Sequence, residues 1–208
     1  MQKYIMEFIG TFFLVFAIGN VAISPGAGSM APLAIGATLM AMIFAGGHIS
    51  MAHYNPAVTL AFVLRGKCKQ ADVPGYLVGQ VLGAVLASFV VLYLKGNPDL
   101  NTMSLEAGPT LLVEFLGTFA LVFVILNVAT TQANQGNSFY GLAIAVTVIG
   151  LAYSVGSISG GAFNPAVALA LIVMGVVGSA DIWLYLLAHV IAAFCATYTF
   201  FYLVPDKK

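Results

Sequence analysis

Ile49-Ser50 followed by Asn55-Pro-Ala-Val58 is written a second time, 109 positions on, as Ile158-Ser159 followed by Asn164-Pro-Ala-Val167. A longer phrase repeats at nearly the same spacing. Glu7-Phe-Ile-Gly-Thr-Phe-Phe-Leu-Val-Phe16 returns as Glu114-Phe-Leu-Gly-Thr-Phe-Ala-Leu-Val-Phe123, an offset of 107, with eight of the ten residues identical. Biased composition does not generate such matches. The chain therefore reads as one transmembrane domain, 1–208, built from repeat one at about 1–96 and repeat two at about 108–208.

What lies between the phrases is apolar. Of 208 residues, 61 % are hydrophobic and 7 % charged, with seven basic against seven acidic side chains and a mean hydropathy of +1.03. Soluble domains carry about 25 % charge. This composition excludes a soluble monomer, which could not cover itself with polar surface. It also excludes disorder, which needs low hydrophobicity. Zero net charge gives nucleic acid nothing to select. The partner left is the lipid bilayer.

A span needs about 20 apolar residues. Six stretches qualify or nearly do: about Tyr4–Ile23, Pro32–Gly47, Val73–Leu94, Pro109–Thr130, Phe139–Gly156 and Ile182–Val204. Two more, about Asn55–Leu64 and Asn164–Met174, are too short and suit re-entrant segments. The runs are continuously apolar rather than alternating, so they are helices and not barrel strands. The first starts at Tyr4 and is long enough to stay as a span instead of a cleaved leader. Six spans place both termini on one face. Lys3, Arg65, Lys67, Lys69, Lys207 and Lys208 then share that face and only Lys95 opposes them, which predicts cytoplasmic termini.

Each half holds three spans and one short segment. Three is odd, so the second half starts on the opposite face and the repeats are inverted. Inverted repeats put their shared site near the bilayer midplane, on broken helices. Pro56 and Pro165 suit the first turn of a helix and Asn55 and Asn164 suit its N-cap. Each short segment then reads as a half-helix whose positive end points at the centre. The fold class expected is an all-α membrane protein: six transmembrane helices plus two re-entrant half-helices in an inverted 3+3 repeat.

Gly47-His-Ile-Ser-Met-Ala-His-Tyr-Asn-Pro-Ala-Val-Thr59 and Gly160-Gly-Ala-Phe-Asn-Pro-Ala-Val167 resemble the two signature loops of the aquaporins and glycerol facilitators, the major intrinsic proteins. The repeated Glu-Phe-x-Gly-Thr-Phe opens the first and fourth spans as in that family. The resemblance covers nearly the whole chain. It implies a homotetramer in the plasma membrane, each protomer with its own pore for water or small neutral solutes, no cofactor, no metal and no enzymatic activity.

The motif residues Asn55, Pro56, Ala57, Asn164, Pro165 and Ala166 are the first site candidates. The two amides can donate to a passing oxygen, and with the half-helix ends they oppose protons and cations. The resemblance further implies a ladder of carbonyls from Met51, Ala52, His53, Gly160, Gly161 and Ala162. Glu7 and Glu114 sit at or near the starts of spans. An intramembrane carboxylate is costly, and two readings stand: each anchors a re-entrant loop, or each carries protons. His48 and His53 flank the first loop, as loop braces or as a pH gate. His189 reads as a satisfied interior histidine with no assigned role. Cys68 and Cys195 offer no disulfide framework. Gly75, Gly79 and Gly83, at every fourth position of the third span, are close-packing residues.

One departure from the family pattern matters most. Many members carry Arg directly after the second Asn-Pro-Ala, in the narrowest, outer constriction; this chain has Val167. By the family's spacing the constriction falls on Ile35, Ala152, Gly161 and Val167, with Gly150 replacing Ala152 if the fifth span carries a local shift. Ala168 also stands where glycerol facilitators often have Asp. The set is small and aliphatic, and Val167 resembles the residue of some plant vacuolar aquaporins. It implies a permissive channel for water, urea, ammonia, hydrogen peroxide and glycerol. A strict water channel and a proton-coupled transporter using Glu7 or Glu114 are the rival readings.

Overall fold

The structure is a computed structural model and describes residues 1–204; Lys207 and Lys208, used above for orientation, lie outside the described residues. The described residues form eight α-helices: α1 Gln2–Ala22, α2 Ala31–Ser50, α3 Pro56–Leu64, α4 Val73–Leu94, α5 Ala107–Thr130, α6 Tyr140–Ser159, α7 Pro165–Val173 and α8 Ile182–Leu203. Six are long and apolar enough to cross a membrane. The other two, α3 and α7, have nine residues each. Nine residues rise roughly 14 Å, half of a ~30 Å hydrocarbon core.

Both half-helices start and stop by local chemistry. Asn55 Oδ1 accepts from the backbone N–H of Ala57 at 2.8 Å, and Asn164 Oδ1 from that of Ala166 at 2.9 Å, with Pro next in the chain at each. Past their ends, Gly66 and Gly175 take φ of +72° and +77°. The next N–H groups then fold back: Lys67 to the Phe62 carbonyl at 2.8 Å and Val176 to that of Leu171 at 2.9 Å. This is the Schellman closure, and it needs the left-handed residue that glycine supplies.

Two helix ends differ from the sequence expectation. α2 and α6 continue three residues beyond Gly47 and Gly156, to Ser50 and Ser159. Glycine is a weak helix former, so the sequence pattern breaks there. The last turns nevertheless close, through Met51 N–H to Gly47 O at 3.0 Å and Gly160 N–H to Gly156 O at 2.9 Å.

The starts of α1 and α4 share one face. Lys3 pairs with Asp72 at 2.5 Å, and the Tyr4 hydroxyl donates to the other Asp72 oxygen at 2.9 Å. The end of α8 joins them, where the Arg65 guanidinium sits 5.2 Å from the Phe200 ring centre. This face is the termini side. On the far side, Lys95 donates to the carbonyl of Asn20 at 2.8 Å and to that of Pro25.

Within each repeat the first helix packs on the last, α1 on α4 and α5 on α8, while α2 meets α6 across the repeats. The stripe of small residues is what brings α4 close. A Cβ on Gly79 would lie 2.6 Å from the Tyr4 carbonyl oxygen, and one on Gly75 would lie 2.6 Å from the Tyr4 ring. Gly79→Leu is therefore expected to destabilise the protein by about 1–3 kcal/mol. Thermal unfolding in detergent reads this; an unchanged transition would contradict it.

Candidate functional site

A cavity of about 1070 Å³ runs between the repeats. Asn55 and Asn164 line its middle. Arg65 and Lys67 line the termini-side mouth, and Met174 and Val176, their counterparts 109 positions on in the sequence, line the far-side mouth. All six residues of the expected carbonyl ladder, Met51, Ala52 and His53 with Gly160, Gly161 and Ala162, line the cavity too.

The loops that reach the middle are wound tightly. Met51, Ala52 and Tyr54 have φ of 66°, 51° and 49°; Gly160, Gly161 and Phe163 have 84°, 62° and 48°. Non-glycine residues hold such angles only when the surroundings over-determine them. Here the surroundings are two buried carboxylates. Glu7 accepts from the Ser50 hydroxyl at 2.6 Å, the His53 N–H at 3.0 Å, the Tyr54 N–H at 2.7 Å and Gln80 Nε2 at 2.8 Å. Glu114 accepts from the Ser159 hydroxyl at 2.6 Å, the Ala162 N–H at 2.9 Å and the Phe163 N–H at 2.7 Å, and His189 Nε2 lies at 2.7 Å. Buried charge at membrane depth persists only with such partners.

The repeated Glu-Phe-x-Gly-Thr phrase thus carries two contacts. Its Glu holds the loop backbone, and its Gly makes room for the loop's aromatic ring. A Cβ on Gly10 would overlap Tyr54, and one on Gly117 would overlap Phe163. Tyr76 and Tyr185 finish each clamp by donating to the carbonyls of Ser50, at 2.8 Å, and Ser159.

The two asparagines also tie the repeats together. Asn55 Nδ2 donates to the Phe163 carbonyl at 3.0 Å, and Asn164 Nδ2 donates to the Tyr54 carbonyl at 2.8 Å. Each primary amide has two N–H groups. One is spent across the repeat interface, and the other is left for the lumen. Each Oδ1 accepts from the first turn of its own half-helix.

The clamps differ in chemistry. Gln80 and His189 occupy matching places 109 apart, and His189 is therefore part of a clamp, a role the sequence reading did not give it. The histidine in the first loop that is wired in is His53. Thr59 gives its only hydroxyl hydrogen to the Asn55 carbonyl at 3.1 Å and accepts from Gln80 Nε2 at 2.9 Å. His53 Nδ1 lies 3.1 Å from the same hydroxyl, and its Nε2 has no hydrogen-bond partner among the described residues. His48 is placed differently from His53. It is exposed on the last turn of α2 at the termini-side mouth, and no hydrogen bond from it to either loop is present among the described residues. Two residues before Ser50, it lies on a different face of the helix from the clamp.

Ile35, Ala152, Gly161 and Val167 all line the far-side half of the cavity. Gly150 does not; it sits on the exposed face of α6, so no local shift of that helix is needed to read Ala152 as the wall residue. Cys68 and Cys195 are free thiols, and burial pushes the Cys68 thiol up, the reverse of an activated nucleophile.

Comparison with known proteins gives one consistent picture. The family described as Major intrinsic protein matches residues 1–151 and again 104–208. The chain is 37 % identical over 229 residues to Aquaporin NIP3-1 of Arabidopsis thaliana, covering 100 % of this chain and 69 % of that one. It is 37 % identical over 213 residues to Glycerol uptake facilitator protein-like 6 of Lactiplantibacillus plantarum, covering 94 % and 97 %. Nodulin-26 of Glycine max is 36 % identical over 215 residues, covering 96 % and 77 %. Among solved structures, the aquaglyceroporin from Plasmodium falciparum shares the fold, with a TM-score of 0.82 at 22 % identity over 99 % of this chain and 96 % of that one.

Proposed function

The chain belongs to the major intrinsic protein family, and from that premise we propose that it is a permissive channel, passing small neutral solutes as well as water. Members of the family are integral membrane channels and not enzymes; passive passage of water and small solutes follows from membership. The finer reading is that urea, ammonia, hydrogen peroxide and glycerol all cross. The observation that carries it is the far-side wall. Ile35, Ala152, Gly161 and Val167 put no charge and no ring into the lumen, where many relatives place an arginine.

The mechanism follows from the loops. A solute leaves bulk water and meets backbone carbonyls that accept its hydrogens. At the middle the free N–H groups of Asn55 and Asn164 donate to its oxygen. A water held by two donors turns its hydrogens outward, which breaks a proton wire. The positive ends of α3 and α7 converge on the same point and oppose cations. Glu7 and Glu114 hold the loops and carry nothing. Each carboxylate is ringed by four donors. Every one of those contacts comes from a re-entrant loop or a helix end or neighbour beside it, which supports an anchoring role over a proton-coupled transporter.

Cytoplasmic termini, a plasma-membrane location and a homotetramer complete the proposal. Lys3, Arg65, Lys67 and Lys69 on the termini side against Lys95 on the far side support the orientation. Proteoliposomes test the permissive reading. Swelling in urea and glycerol gradients is expected together with fast osmotic water flux. Fast water flux with none of the solutes passing would instead make it a strict water channel.

A further inference from the structure

The repeat symmetry is tight enough to transfer positions from one side of the pore to the other. The bounds of α2 and α6, α3 and α7, and α4 and α8 each differ by 109 at both ends. Carried through that offset, Ile35 maps onto Ile144, Ala152 onto Ile43, Gly161 onto Ala52 and Val167 onto Val58. All four images line the same cavity, on the termini side of the asparagine pair. The pore thus has two collars, one on each side of its middle.

We infer that the termini-side collar, Ile43, Ala52, Val58 and Ile144, sets the size limit for solutes, and that the far-side collar does not. The inference rests on the channel reading above. Two of the four matched pairs are identical in residue type. In the other two the termini-side member is larger: Ile43 against Ala152 and Ala52 against Gly161. That adds three side-chain carbons at one point of the ring and one at another. Exposure agrees. Ile43 and Ile144 are 4 % and 6 % exposed, whereas Ile35 and Ala152 are half-buried. One helical turn further out the bias continues, with Phe62 matched against Leu171, both lining the cavity.

The chemistry of this collar is aliphatic throughout, so a solute crossing it is graded by cross-section rather than by side-chain hydrogen bonds. Apolar constrictions of this kind limit flux by excluding what they cannot wet or fit. The sequence departure at Val167 then has a consequence beyond the far side. With the arginine absent and small residues around it, the narrowest ring moves across the midplane.

A matched pair of substitutions tests this. Ile144→Ala and Ile35→Ala remove the same atoms at symmetry-equivalent positions on opposite sides. The full chain is reconstituted into liposomes, and the ratio of glycerol to water permeability is read for each; a ratio does not depend on how much protein inserts. Ile144→Ala is expected to raise the ratio at least about tenfold, the scale of one fitted aliphatic group, and to raise it more than Ile35→Ala does. If Ile35→Ala raises it as much or more, or if neither changes it, the inference is overturned. Should Ile144→Ala fail to fold, Ile144→Val and Ile35→Val are compared in the same way. A failure of the channel reading looks different: wild-type protein then gives no more water flux than empty liposomes.

Discussion

Glu114→Ala is expected to abolish flux and to cost the folded protein roughly 3–6 kcal/mol, since four donors lose a charged acceptor at about 1–3 kcal/mol each, less what cavity water restores. The donors are the Ser159 hydroxyl, the backbone N–H groups of Ala162 and Phe163, and His189. The backbone pair matters most. Those two N–H groups belong to a loop whose Gly161 and Phe163 sit at φ of 62° and 48°, and both donate to this carboxylate. Once the loop relaxes, the Phe163 carbonyl leaves Asn55 and the far-side carbonyls leave the lumen. Glu114→Gln keeps one acceptor but points an amide nitrogen at donors, so an intermediate loss follows. His189→Gln installs the partner that Glu7 already has in Gln80 and should lose least. Thermal unfolding in detergent, paired with osmotic flux, reads the series; full stability and flux in Glu114→Ala would refute the clamp.

Val167→Arg carries the second large effect. Val167 is 3 % exposed on the lumen wall, at the first turn of α7. A guanidinium there brings a long side chain and a positive charge into a ring that has neither. Permeability to glycerol and urea is expected to fall at least about tenfold, equivalent to roughly 1.4 kcal/mol of barrier, while water, being smaller, keeps most of its rate. The same substitution in a background of Ile144→Ala should still exclude glycerol, because the far-side collar has then become the narrower one. Equal loss of water and glycerol would point to a collapsed pore and against selective narrowing.

Much of this was legible in the residues, for reasons that can be named. Asn-Pro fixes a helix start by capping and by the proline ring, so both half-helices could be placed almost to the residue. Six continuous apolar runs fixed the spans, because lipid leaves no other way to satisfy a backbone. The ends of α2 and α6 were less legible. Gly46 and Gly47 weaken the helix signal, yet Gly46 is required where it is, since a Cβ would overlap the Tyr54 hydroxyl. The clamp partners were illegible for a different reason. Gln80 lies 73 positions from Glu7 and His189 lies 75 from Glu114, so no local pattern links them. Only the repeat offset, applied to positions outside the conspicuous phrases, pairs the two. The termini-side collar was hidden in the same way. Ile43, Ala52, Val58 and Ile144 look like ordinary packing residues until the symmetry and the cavity are considered together.

Osmotic water flux through the reconstituted wild-type protein, followed by stopped-flow light scattering with and without an imposed pH gradient, bears most directly on the claim of a passive pore. Shrinkage much faster than in protein-free liposomes, rising in proportion to the osmotic gradient and indifferent to the pH gradient, is the result expected. Rates equal to those of empty liposomes, or transport that saturates and follows the proton gradient, would contradict it.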